Sequence, residues 1–596
     1  MKLRSTLTLL LLTTSVGVYI WLVEIKRPSS REAAERAQLV IALDRSTVDS
    51  ISIKNTETRI ELRKKENNVW HLEEPVKDRA DPLVVSQLFT TAESLHHDRM
   101  LDKPGKGREK SQLKDFGITN SEVKLKFSGT EKPVELVLGK DAAVEGKIYT
   151  KVEGGENVYV ISNDLKTQLT RKADDFRDHR LTSLSPAQVQ KVTFKSALGE
   201  IELEKKNEQW MLLKPLNARG DNSKIGDFIS QAVTAPIDAF MPDSANLAAY
   251  GLQEPRGTVS FFMEGAKEPV VLQIGAKTAT EKTEKEGTYA KLSTRNSVVL
   301  LPKSMERLLE TKPNDLRDKK LVRLEADIVD RITLEPAGKE KIVLARRGED
   351  WMRKGKIDMP ANGAAANKLL NAIKDQLVTK FVTDIATDLP KYGLDQPQLK
   401  VTLSSFAAEN TAETKAGEQP IVTIFFGKVD GDLVYAKLDD EPFIVSMTKS
   451  FFDSFLTDPI RWQPLSVYHY KPEELTAIEI TRAGQPPMAI ERGKEKWNLA
   501  KGDGHINQIN AQSLVNTLAA LRAVRWSGPA EPSFGLDPAV VTVTFKTSGN
   551  VSGKLRIGSQ TPEEMSHATV EGIDGAFELS KPDRQAFDLA LIEPRK

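Results

Sequence analysis

The sequence predicts an α+β chain: four tandem repeat domains of antiparallel strands, each with one packed helix and a short closing helix, preceded by one transmembrane helix. Three observations predict it. A phrase made of an aromatic, a glycine, Leu or Ile and an alternating strand occurs four times. It reads "DFGITNSEVKLKF" at 115–127, "AYGLQEPRGTVSF" at 249–261, "KYGLDQPQLKVTL" at 391–403 and "SFGLDPAVVTVTF" at 533–545. Four tryptophans, Trp70, Trp210, Trp351 and Trp497, stand at intervals of 140, 141 and 146 residues. The segment from Ser5 to Val23 runs nineteen residues without a charge.

That segment comes first in the chain. As a helix it spans roughly 28 Å at ~1.5 Å per residue, close to the ~30 Å core of a bilayer. Lys2 and Arg4 precede it, and Tyr19 and Trp21 sit near its far end. The positive-inside rule then predicts a single-pass anchor in a bacterial inner membrane: residues 1–4 cytoplasmic, 5–23 in the bilayer, 24–46 a juxtamembrane linker or helix, and the bulk periplasmic. A cleaved signal peptide is the alternative, but no small-x-small site follows the apolar run.

The repeats are expected at 47–184, 185–324, 325–468 and 469–596, the last truncated at its carboxyl end. Each opens with alternating strands: "VDSISIKN", "VQKVTFKS", "DRITLEP" and "TAIEITR", then "RIELRKK", "EIELEKK", "KIVLARR" and "MAIERGK". Period-two alternation means half-buried strands joined by hairpins. The tryptophan follows, a large ring expected in the core. A helix comes next, with Asp81, Asp221, Asn362 and Asn510 as expected N-caps and Pro82 at the first helical position. Gly117, Gly251, Gly393 and Gly535 in the repeated phrase are expected to meet a positive φ or a close backbone approach, which only glycine adopts without steric cost. That geometry lets the preceding aromatic (Phe116, Tyr250, Tyr392 or Phe534) fold back on the sheet. A strand ending in Gly139, Gly275, Gly427 or Gly558 leads to "YTKV", "YAKL", "YAKL" and, degenerate, "HATV". Three repeats close on "DDFRDHRLTSL", "NDLRDKKLVRL" and "DPIRWQPLSVY", marked by Arg177, Arg317 and Arg461 as connectors or docking edges; the fourth lacks this tail. The polar stretches 278–287 and 407–419 read as surface loops.

Chemistry is sparse. Basic and acidic residues balance at 85 against 84, unlike a nucleic-acid binder. There are no cysteines, which excludes thiol catalysis, disulfides and Cys-ligated zinc. None of the seven histidines (His71, His96, His97, His179, His469, His505, His567) stands four from another, so no helical ligand pair arises. "HHD" at 96–98 and "GDGHI" at 502–506 read better as surface residues and a turn than as metal sites. "LGKD" and "FGKV" lack the spaced glycines of a phosphate cradle. The paired charges of "DFRD" and "DLRD" read as local salt bridges. No nucleophile or base recurs among the repeats, so no catalytic, cofactor or metal residues are assigned.

The anchor, the "KRP" after it, strand–strand–Trp, the capped helix, "YGLDQP", "FGK", "YAKL" and "LRDKKL" together resemble the bacterial domain-of-unknown-function family DUF4340. The resemblance runs from about residue 24 to the end in four copies, the first and fourth departing most. It implies an accessory membrane protein of an ABC-type, gliding-motility-like transport or envelope assembly complex, and brings no catalytic residues. The expected function is therefore a non-enzymatic, membrane-anchored periplasmic scaffold whose partners are transporter subunits, with no nucleic acid. Two alternatives stand beside it. One is an envelope glycan or peptidoglycan binder using exposed aromatics such as Trp462, Trp526 or Tyr470; the other is a hydrolase with an inter-domain site.

Overall fold

The computed structural model describes residues 13–15, 37–101, 109–129, 131–242, 245–278, 286–407 and 417–593. The expected anchor at 5–23 therefore lies outside the described residues except for three of them, as do most of the loops at 278–287 and 407–419. Among the described residues no helix is long and apolar enough to cross a membrane.

The first repeat defines the pattern. Its strands are β1 (Val48–Lys54), β2 (Arg59–Lys64), β3 (Trp70–Glu74), β4 (Asp78–Arg79), β5 (Arg99–Leu101), β6 (Val123–Gly129), β7 (Val134–Asp141), β8 (Lys147–Val152) and β9 (Val158–Ser162). They form one sheet in the order β4-β3-β2-β1-β6-β7-β8-β9-β5, antiparallel throughout. Two meanders, β1 to β4 and β6 to β9, meet at the β1–β6 pair. Helix α1 (Pro82–Glu93) carries the chain from the β4 edge to the β5 edge. Alternation works as expected: Ile51 and Ile53 on β1 face Leu62 and Ile60 on β2 and Phe127 and Leu125 on β6, all buried in one core. Val85, Leu88, Phe89 and Ala92 of α1 close that core from above.

The same nine-strand order recurs in the second and third sheets, and the fourth has eight strands, lacking the β4 counterpart. The chain divides into two compact units, one ending at Arg317 with the first two sheets, one beginning at Asp318 with the last two. Three N-caps fall where the sequence puts them: the side chains of Asp81, Asp221 and Asn362 accept backbone N–H bonds from the first turn. The fourth is corrected. Asn507, not Asn510, caps the helix Gln508–Ala519: its side chain accepts from the N–H groups of Ile509 and Asn510, so the helix begins a turn earlier. Asn510 lies inside that first turn and donates instead to the Ala590 carbonyl at 2.8 Å.

The repeated phrase is a backbone-to-backbone contact. Gly117, Gly251, Gly393 and Gly535 take φ of 71°, 63°, 65° and 62°. Their preceding aromatics lean on β8 and its counterparts, ring centroids 4.6 Å apart for Phe116–Tyr149, 4.9 Å for Tyr250–Tyr289 and 5.0 Å for Tyr392–Tyr435. In the degenerate copy Phe534 stacks on His567 at 3.9 Å. The partner glycine on the β7 counterpart is forced: a Cβ on Gly427 would stand 2.1 Å from the Tyr392 carbonyl oxygen. Gly427→Ala should therefore displace the turn and cost about 1–3 kcal/mol by overpacking, read as a lowered urea midpoint for the unit beginning at Asp318.

Candidate functional site

The recurring residues are all used up in folding. Trp210, Trp351 and Trp497 are buried, at 6%, 1% and 3% exposure, whereas Trp70 is half-buried. Each stands at the start of the β3 counterpart, and the carbonyls of the first three accept from Ala80, Gly220 and Ala361, each one residue past the short strand that follows. At Trp497, where that strand is missing, the Gln508 side chain donates to the carbonyl (2.8 Å) and accepts from the N–H (3.0 Å).

The arginine signature needs a correction of register. The N–H of each helix cap donates to a carbonyl of the closing segment: Asp81 to Phe176, Asp221 to Leu316, Asn362 to Trp462 and Asn507 to Leu591. The residue after that acceptor is Arg177, Arg317, Gln463 and Ile592. Arg461 matches the others by letter only, two residues out of step, and it is exposed while Arg177 and Arg317 are buried. The fourth repeat does possess the closing segment, with Ile592 bridging Ile506 as Arg177 bridges Ala80.

At Arg177 this position builds a buried ionic junction between the first two sheets. Asp78 accepts from Arg177 Nε and Nη2 at 3.0 and 2.7 Å and from Arg295 Nε and Nη2, both at 3.0 Å. The Asp78, Arg177 and Arg295 side chains are 2%, 5% and 1% exposed. Arg177 also pairs with Asp174 at 2.9 Å, bonds Ser297, and lies 3.4 Å from the centroid of the Phe240 ring. Arg295 donates to the carbonyls of Arg180 and Asp178. Asp78, Arg177 and Arg295 each face partners within the protein, so the cluster joins the two sheets. The counterpart in the second unit is an amide: Gln463 Nε2 donates to the Asp574 carbonyl at 2.8 Å.

Two clefts remain. One, of 1280 Å³ in the first unit, is lined by Trp70, Phe89 and several cations. Those cations are largely paired within the protein, Lys65 with Glu73, Arg180 with Asp178 and Arg45 with Glu93. The other, of 710 Å³ in the second unit, lies between the helix Gly363–Asp375, the closing segment through Trp462, and the edge strand Arg525–Gly528. Trp462 and Trp526 are no exposed platforms, at 0% and 5%, and Tyr470 is half-buried against the fourth core. Their indole N–H groups are consumed by the Leu456 and Pro464 carbonyls. Backbone carbonyls and packing took rings that sequence alone placed on the surface.

The second cleft holds the one polar row that departs from its siblings. Across β8, β9 and β5 the first repeat pairs Tyr149, Val160 and Arg99. The same row reads Tyr289, Leu300, Ala239 in the second repeat and Tyr435, Ser446, Lys380 in the third. In the fourth it reads His567, Glu578, Arg525. Arg525 Nε donates to Glu578 Oε1 at 2.8 Å. Glu578 is 4% exposed, and neither its Oε2 nor His567 Nδ1, both buried, has a hydrogen-bond partner among the described residues. Burial pushes the His567 imidazole below its ordinary pKa, so the ring is neutral at pH 7. The only sequence signal was the change from "YAKL" to "HATV"; Glu578 and Arg525 reach it through strand pairing.

His96 Nδ1 bonds the Ser94 carbonyl, His97 leans on Tyr159, and the carbonyl of His505 in "GDGHI" accepts from Glu593 N. Among the described residues no group of three or more His, Asp or Glu side chains is placed to hold a metal. A family model described as a domain of unknown function, DUF4340, matches residues 70–243, 210–375 and 351–533, each match opening at a repeat tryptophan. No curated protein matches the chain.

Proposed function

On the premise that the chain belongs to the DUF4340 family, we propose that it is a non-enzymatic protein-interaction scaffold held to a bacterial inner membrane by its apolar segment. In this reading the repeats stand on the periplasmic side and serve an ABC-type, gliding-motility-like transport or envelope assembly complex. One observation carries it. The residues common to the copies, the tryptophans, phrase glycines, aromatics and caps, all make folding contacts and none presents a reactive group. A repeated unit selected for shape rather than chemistry suits a surface that is gripped. The junction around Asp78 supports the reading further, because it fixes one sheet against the next within the first unit.

Affinity purification of the tagged full chain from detergent-solubilised membranes is expected to recover transporter subunits. Recovery of the bait alone across several mild detergents overturns the reading.

A further inference from the structure

We propose that the cleft of the second unit is a saccharide-binding site, with Glu578, His567 and Arg525 as its polar recognition row. The inference is independent of the scaffold reading, since it concerns a feature of one repeat only.

The first support is a buried carboxylate whose single ion pair, to Arg525, leaves its second oxygen unmet. Three sibling repeats fill the central position of the row with Val160, Leu300 or Ser446, and the position beside it with tyrosine. The fourth buries a carboxylate there and satisfies only one of its two oxygens. An unpartnered buried carboxylate oxygen is destabilising, and the first two repeats hold no polar group there, while the third carries the milder case of a buried Ser446 Oγ without a partner. Residues that break the local rule of their own siblings mark function rather than architecture.

The second support is the chemistry of the cavity. Its 710 Å³ falls within the roughly 300–1,000 Å³ of small-molecule sites, which combine apolar walls with a few convergent polar groups. Leu369, Leu456, Leu465 and Val524 supply apolar wall. Lys368, Arg461 and Arg525 are set against Glu531 and Glu578, so an ion of either sign meets like charge on entering. An uncharged ligand rich in hydroxyls meets neither penalty. Its O–H groups accept from Arg525 and, with the Glu578 and His567 side chains turned toward the cleft, donate to Glu578 Oε2 and His567 Nδ1, both closed to solvent as they stand, while its C–H faces lie on the apolar wall. That ligand class is the saccharide.

The test uses the full-length protein with cellobiose, maltose and N,N′-diacetylchitobiose as probes, followed by saturation-transfer NMR and calorimetry. Wild type is expected to bind at least one of the three. Glu578→Gln, which keeps the shape and removes the carboxylate, is expected to weaken binding by about tenfold or more. His567→Tyr with Glu578→Leu gives the row Tyr, Leu, Arg, close to the Tyr149, Val160, Arg99 of the first repeat; it is expected to abolish binding while the thermal midpoint stays level or rises. If that double variant does not fold, Glu578→Gln alone decides. Absence of binding by wild type at millimolar sugar overturns the proposal, as does binding that survives either substitution unchanged.

Discussion

Asp78→Ala is expected to lower the stability of the unit ending at Arg317 by about 3–5 kcal/mol, the cost of breaking a buried ion pair from one side. Asp78 accepts four hydrogen bonds from two arginines whose side chains are at most 5% exposed. Removing it leaves Arg295 with two backbone carbonyls and the Phe240 ring, and Arg177 with the exposed Asp174, the Ser297 hydroxyl and the same ring. Cation–π attraction and neutral acceptors do not replace a carboxylate at this burial. Hydrogen exchange should show the loss in strand amides of both sheets of the unit, because Asp78 belongs to the first sheet's edge and Arg295 to a turn of the second. A loss confined to the first sheet would sink the view that this cluster couples them.

The same residue has a pH signature. Burial raises the Asp78 pKa, but the hydrogen bonds and charges of Arg295 and then Arg177 outweigh burial and hold it below its ordinary value. A carboxylate depressed on folding contributes fully above its unfolded pKa, about 3.9, and loses that contribution as pH falls through the lower folded value. The stability gap between wild type and Asp78→Asn should therefore be constant from neutrality down to about pH 4, then narrow. A gap that shrinks between pH 7 and 5 contradicts the assignment.

What could be read in the sequence was local. Strand alternation, three of four caps and the phrase glycines depend on neighbours a few residues apart, and Ile51 with Ile53 or Asp81 with Pro82 show their roles in any window that holds them. The edge strands β4 and β5 could not be read, since two or three residues carry no period and pair only because α1 delivers them to opposite edges. Matching by letter failed at Arg461: the third closing segment holds its register through the Asn362–Trp462 backbone bond, which put Gln463 at the arginine position. The junction at Asp78 joins residues more than two hundred apart, and nothing near "VKDRAD" announces it. The His567–Glu578–Arg525 row was half visible, as a tyrosine lost from a phrase. Its other members lie on strands whose order only the sheet establishes.

Trp351→Ala is expected to cost about 3–5 kcal/mol, and distinctly more than the same change at Trp70. Period and phrase make the four tryptophans look equivalent, and the backbones of Trp70 and Trp351 are: the carbonyl of each accepts from Ala80 or Ala361 just past the next short strand. Their side chains are not. Trp351 is 1% exposed, donates from its indole to Asn367 Oδ1 of the packed helix at 3.0 Å, and carries the Arg346 guanidinium 4.9 Å from its ring centroid. Truncation opens a cavity of ring size and strands the Asn367 acceptor in the same step. Trp70 is half-buried, meets Phe89 at 5.6 Å, and has one side on the 1280 Å³ cleft, where water can replace it. The penalty for deleting a ring follows how far its surroundings fail to collapse or fill, so the open site loses less. Urea unfolding of the two variants, followed by hydrogen exchange within the affected sheet, separates the cases. Equal losses at both positions would mean that the tryptophans act through the backbone register they share, and that the difference in ring packing carries little of the stability.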